Sequence, residues 1–150
     1  MSNTSPSLEL SYLETADRIG SRLCREAQWD GSRCNWMTWL YDPISQAPHF
    51  RALGSNPIAP VAGLALYEGI TGIGLFLARL FQYSHEQIRK ETAIGCVNQA
   101  IALAPSPEPT VEFGAYDGLC GIAYAFIEIG QLIEHESLTR HGLELFDIDD

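Results

Sequence analysis

Basic residues are scarce in this chain: 9 Lys and Arg stand against 19 Asp and Glu, a formal net charge of −10. Phosphate backbones are bound by clustered Lys and Arg, so the shortage excludes nucleic acid as the main partner. It also disfavours an anionic membrane surface, while the acidity itself favours solubility. Uninterrupted apolar runs are missing too. The two greasiest stretches are broken by Glu68 and Arg79 and by Asp117 and Glu128. Neither reaches the ~20 apolar residues of a membrane span. The first nine residues have neither the basic start nor the apolar centre of a signal peptide, so the expected location is cytoplasmic. Cysteine is sparse: Cys24, Cys34, Cys96 and Cys120 form no CxxC pair and have no adjacent His. Without a secretory signal they read as free thiols in or near a core, not as a disulfide framework.

What is present is enough to fold. Hydrophobic residues make up 46% of 150, which is too apolar for a disordered chain and fits one domain, residues 1–150. After a flexible start over residues 1–10, Tyr12, Ala16, Ile19, Leu23 and Ala27 recur at helical spacing. Ser11 and Glu14 have the pattern of a capping box, and Asp30-Gly31 supplies a stop. Residues 31–63 lose all periodicity. Pro43, Pro48, Pro57 and Pro60 each remove a backbone donor, so an irregular loop is expected there. Trp29, Trp36 and Trp39 at its start read as anchors onto the domain body, or alternatively as a ligand surface.

Beyond the loop, two kinds of helix alternate. Residues 69–83 carry Ile70, Ile73, Leu75, Phe76, Leu77, Leu80 and Phe81, an apolar surface nearly all round that must be buried. Residues 84–104 show a second capping box, Ser84 with Gln87, and a single stripe of Ile94, Val97, Ile101 and Ala104. Residues 118–134 return to the buried type. A shorter amphipathic helix is expected from Ser137, with Leu138 and Leu145 inward. The whole reads as two helical hairpins.

An internal repeat supports that division. Tyr67-Glu68-Gly69-Ile70-Thr71-Gly72-Ile73 aligns with Tyr116-Asp117-Gly118-Leu119-Cys120-Gly121-Ile122 at an offset of 49. Both copies read Tyr-acid-Gly-x-x-Gly-Ile. The paired glycines Gly69/Gly72 and Gly118/Gly121 allow close backbone approach at the head of a buried helix. The acids Glu68 and Asp117 suit the positive end of the helix dipole.

Alternating buried and amphipathic helices, each buried one headed by Gly-x-x-Gly, resemble the α/α-toroid of lanthionine synthetase C-like (LanC-like) cyclases. The phrase from Leu66 to Leu77 is similar to the first inner helix of these domains, including those of class II lanthipeptide synthetases. The phrase from Gly114 to Tyr124 is similar to the second, and Arg33-Cys34-Asn35-Trp36 to the usual lead-in. The likeness covers roughly residues 10–146 and implies an all-α fold, an incomplete toroid of two hairpins. It also implies a link to thioether-forming peptide modification. In that family zinc activates a peptide thiol, and its ligands include a Cys-His-Gly signature. No cysteine here precedes a histidine, and Glu68 and Asp117 stand where a family His-Gly-x-x-Gly would place His. His141-Gly142 lacks the second glycine, because Leu145 stands there. No zinc ligand transfers, so no metal or other cofactor is expected in this chain, and whether it is an enzyme stays open.

Glu68 and Asp117 remain the weak catalytic candidates, as proton donors or acceptors, against a plain role on the helix dipole. Tyr67 and Tyr116 read as packing residues, and His49, His85 and His135 as surface histidines without ligand spacing. The functional expectation is a truncated or degenerate cyclase relative, inactive alone. The alternative is a non-catalytic helical module binding a peptide or protein. A toroidal glycosidase would need paired carboxylates across a cleft, which the repeat does not favour. With only two hairpins, self-association or a protein or peptide partner is expected, through an uncovered flank of the second inner helix.

Overall fold

The computed structural model describes residues 6–37, 62–67, 69–103, 114–116 and 118–146. Helix α1 (Pro6–Glu26) leads into a small antiparallel hairpin of β1 (Gln28–Asp30) and β2 (Arg33–Asn35). Then follow α2 (Ile70–Ser84), α3 (Gln87–Leu103), α4 (Leu119–Leu132) and α5 (Glu136–Glu144). The described fold is all-α apart from this one hairpin, as expected. None of the described helices is long and apolar enough to cross a membrane.

Helix α1 starts earlier than the expected capping box. Residues 6–10, expected to be flexible, form its opening turns, with Pro6 at the head, where a missing N–H costs no helical bond. Ser11 is therefore interior, and its carbonyl accepts a bond from Thr15 Oγ1 at 2.9 Å. The expected stripe holds in part: Ala16, Leu23 and Ala27 are half-buried, but Tyr12 and Ile19 are exposed, and the buried Gly20 and half-buried Cys24 take their place. A side chain at Gly20 would run into Leu80, so α1 meets α2 at its smallest residue.

The stretch expected to be irregular is ordered at its start. Trp29 pairs with Cys34 across the hairpin, and Gly31 turns it with φ at 60°, a conformation that costs glycine little. Trp36 is the anchor the sequence suggested. It is buried, its indole Nε1 donates to the Leu23 carbonyl at 2.9 Å, and its carbonyl accepts from Ala62 N at 3.0 Å. Trp29 is 45% exposed, although its ring edge lies on Gly95. Trp39 lies outside the described residues.

The two hairpins stand side by side, α2 on α3 and α4 on α5, with α2 against α4. The core joins Ile70, Leu77 and Ala78 of α2 to Ala93, Cys96 and Val97 of α3 and Ile122, Phe126 and Ile129 of α4. On α3 the buried face is Arg89, Thr92, Ala93, Cys96, Val97 and Ala100, with the expected Ile94 and Ile101 on its flanks. Small residues face inward because α2 approaches closely there: a side chain at Gly74 would touch Cys96 Cβ at 3.0 Å. The second capping box is not formed. Ser84 ends α2, and among the described residues its Oγ accepts from Glu86 N at 3.3 Å, not from Gln87. Helix α5 keeps Leu138 buried and Leu145 half-buried, as expected.

Candidate functional site

The repeat places two equivalent helix heads next to each other. Gly69 caps α2 with φ −136° and ψ −174°, and Gly118 caps α4 with φ −117° and ψ −173°. The inner glycine of each pair faces the chain's own lead-in. A Cβ on Gly72 would collide with the Leu66 carbonyl, and one on Gly121 with the Ala115 carbonyl. Each Gly-x-x-Gly thus lets the preceding turn fold back onto the first turn of its helix. Thr71 Oγ1 adds a bond to the Leu64 carbonyl at 2.8 Å, and Ile70 N donates to Gly63 O at 2.8 Å.

The two heads are joined. Tyr67 N donates to the Tyr116 carbonyl at 3.2 Å, and the two rings meet edge to face with centroids 6.4 Å apart. Both rings are largely exposed, at 74% and 67%, so they are not the packing residues that the sequence suggested. Beside them lies a groove of about 380 Å³, lined by Leu23, Leu66, Tyr67, Gly72, Ile73 and Phe76 among others. An exposed tyrosine lining an apolar groove suits a ligand with one greasy side chain and a polar backbone. A larger concavity, about 620 Å³, runs along Leu10 to Arg18; its described lining comes from α1 alone and touches neither helix head. Glu68 and Asp117, the acids suggested for proton transfer, lie outside the described residues, as does His49.

The remaining polar candidates separate. His85 is exposed at the end of α2, His135 Nδ1 is 3.0 Å from Ser137 Oγ, and His141 Nδ1 is 3.1 Å from the Ser137 carbonyl. Gly142, beside His141, serves packing: a Cβ there would approach Ala123 O at 2.8 Å and Ile127 N at 2.9 Å. All four cysteines are free, with Cys34 and Cys96 buried and Cys24 and Cys120 half-buried. Burial raises the Cys24 thiol above its ordinary value.

A family model described as lanthionine synthetase C-like protein matches residues 60–147, more than half of the chain. The chain belongs to the lanthionine synthetase C-like family. The match begins after α1 and the hairpin, so the resemblance at Arg33-Cys34-Asn35-Trp36 lies outside it. No curated protein and no solved structure matches the chain.

LanC-like cyclases hold zinc, and the donors described here do not fit that ion. Among the described residues no group of three or more His, Cys, Asp or Glu is placed to share a metal. The Cys34 thiol is turned onto the Thr92 carbonyl at 3.5 Å.

Sequence reasoning missed one feature of the repeat altogether. Just past the end of each of α2 and α4 lies a non-glycine residue with positive φ, His85 at 52° and Glu134 at 55°. These positions share the 49-residue offset that links the two hairpins.

Proposed function

We propose that this LanC-like chain holds a peptide at the paired helix heads, in the setting of thioether-forming peptide modification in the cytoplasm, and does not close the thioether by itself. The reading rests above all on the exposed Tyr67 ring, which lines the apolar groove and meets the Tyr116 ring edge to face. One apolar side chain seated there contributes ~1.5–3 kcal/mol, and the tyrosine edges and hydroxyls orient the backbone that follows. The sequence supports catalytic silence, since no Cys-His pair exists in these 150 residues. Four free thiols suit a reducing compartment.

The test uses a fluorescein-labelled linear peptide carrying one dehydroalanine and one cysteine. Its anisotropy should rise on titration with the chain, and Tyr67→Ala or Tyr116→Ala should weaken binding by about three- to tenfold. Iodoacetamide should still alkylate the peptide thiol after incubation with zinc. Absence of binding defeats the reading, and consumption of the thiol defeats the proposed silence.

A second reading, self-association or capture of a protein partner, is favoured by Tyr124, Leu143 and Phe146, which leave 45%, 56% and 49% of their surface exposed on the α4–α5 hairpin side. Sedimentation equilibrium at micromolar concentration tests it: a monomer that binds no hydrophobic dye would exclude this reading.

A further inference from the structure

Three of the four cysteines come from separate elements and converge on one face of α3. Cys24 of α1 points its thiol at the Ile88 carbonyl, 4.0 Å away. Cys34 of β2 points its thiol at the Thr92 carbonyl, one turn further along, at 3.5 Å. Cys96 follows on the next turn of α3. A methyl group added at Gly95 would lie 2.8 Å from the Cys34 sulfur, so the strand rests directly on the helix backbone beside Cys96. We propose that Cys34 and Cys96 are a redox pair whose disulfide locks the N-terminal hairpin, and with it α1, onto α3.

The two thiols differ in the way such a reaction needs. Interaction with the neighbouring Cys96 thiol holds Cys34 below the ordinary thiol range. The same interaction, with burial added, pushes Cys96 well up. Cys34 is therefore the readier thiolate. With a hydroperoxide as oxidant, the Cys34 thiolate attacks one peroxide oxygen, giving a sulfenic acid and releasing hydroxide. The Cys96 sulfur then displaces the sulfenic hydroxyl, and its proton leaves with that oxygen as water. In sum, two thiols and one hydrogen peroxide give one disulfide and two waters.

Cys34 and Cys96 are 1% and 0% exposed, so oxidant reaches them only when the cover opens. That cover includes two strands of three residues each, and a lone hairpin of this size is only marginally stable. Oxidation is therefore gated by lifting of the hairpin, and the bond then abolishes that motion.

The experiment treats the purified full chain with hydrogen peroxide and maps the linkage by mass spectrometry of proteolytic fragments, with melting followed by circular dichroism. The expected result is a Cys34–Cys96 cross-link, absent from Cys34→Ser and from Cys96→Ser, and a melting temperature that rises on oxidation and falls back with dithiothreitol. A bond through Cys24 or Cys120, over-oxidised thiols without a cross-link, or a cross-linked chain that melts no higher would each overturn the proposal.

Discussion

Arg79 of α2 and Glu128 of α4 meet across the two hairpins, Nη2 to Oε2 at 2.5 Å, and they stand 49 positions apart. That is the offset of the sequence repeat, so equivalent points on successive units touch one another. Tyr67 and Tyr116 obey the same rule, and the Gln82 side chain reaches the Leu132 carbonyl one position out of register. The Arg79 and Glu128 side chains are 56% and 25% exposed. A double-mutant cycle of Arg79→Ala and Glu128→Ala should therefore give a coupling of only about 0.3–1 kcal/mol, weakening with salt. A larger, salt-independent coupling would mean the pair is far better shielded than its exposure indicates.

Gly72→Ala and Gly121→Ala should each destabilise by roughly 1–3 kcal/mol or more, because the new Cβ meets a backbone carbonyl that cannot swing aside. Gly20→Ala meets only the end of the Leu80 side chain and should cost less. Urea midpoints of the three variants decide the order, and equal losses would contradict this reading of the helix heads.

These contrasts show what was legible beforehand. Tyr-acid-Gly-x-x-Gly-Ile could be read twice because close packing there demands glycine itself, and the helix count and the alternation of buried and amphipathic helices followed from periodicity. The face of α1 was read only in part: Ala16, Leu23 and Ala27 are half-buried as expected, but Tyr12 and Ile19 are exposed. Periodicity weights large residues, whereas the contact is carried by Gly20, Leu23 and Cys24. The hairpin escaped because strands of three residues leave no alternation to detect. The exposure of Tyr67 and Tyr116, which makes the candidate site, depends on two loops meeting across the repeat. Local sequence says nothing of that.

The shared left-handed residue just past α2 and α4 also left no sequence signal, since His85 and Glu134 have different side chains. An L-residue in that conformation is strained by ~1–2 kcal/mol, partly offset in a glycine variant by the entropy of its unfolded chain. Glu134→Gly should accordingly raise stability by about 0.5–1 kcal/mol. His85→Gly should gain less, because the His85 ring packs edge-on against Phe81 at 5.9 Å. Thermal melting of the two variants checks both, and a loss at Glu134→Gly would refute the strain argument.

Arg89 is fully buried and clasps α1 to α3, pairing with Asp17 at 2.6 Å and Glu86 at 3.1 Å. Its Nε and Nη1 find no partner among the described residues. Asp17→Ala removes one of its two carboxylates and should cost about 1–3 kcal/mol. Adding Arg89→Met to that variant should recover part of the loss, since the stranded buried charge goes with it. If the double variant is less stable than Asp17→Ala alone, the guanidinium has other favourable partners and the clasp is not as described.

Peptide binding at the paired helix heads is the claim on which the function stands. A titration of the ¹⁵N-labelled chain with the dehydroalanine- and cysteine-containing peptide, followed by amide chemical shifts, tests it residue by residue. The account predicts saturable shifts centred on Tyr67, Gly69, Gly72 and Tyr116, with the Leu10 to Arg18 face of α1 unmoved. Shifts confined to that α1 face, or none at any peptide concentration, would contradict it.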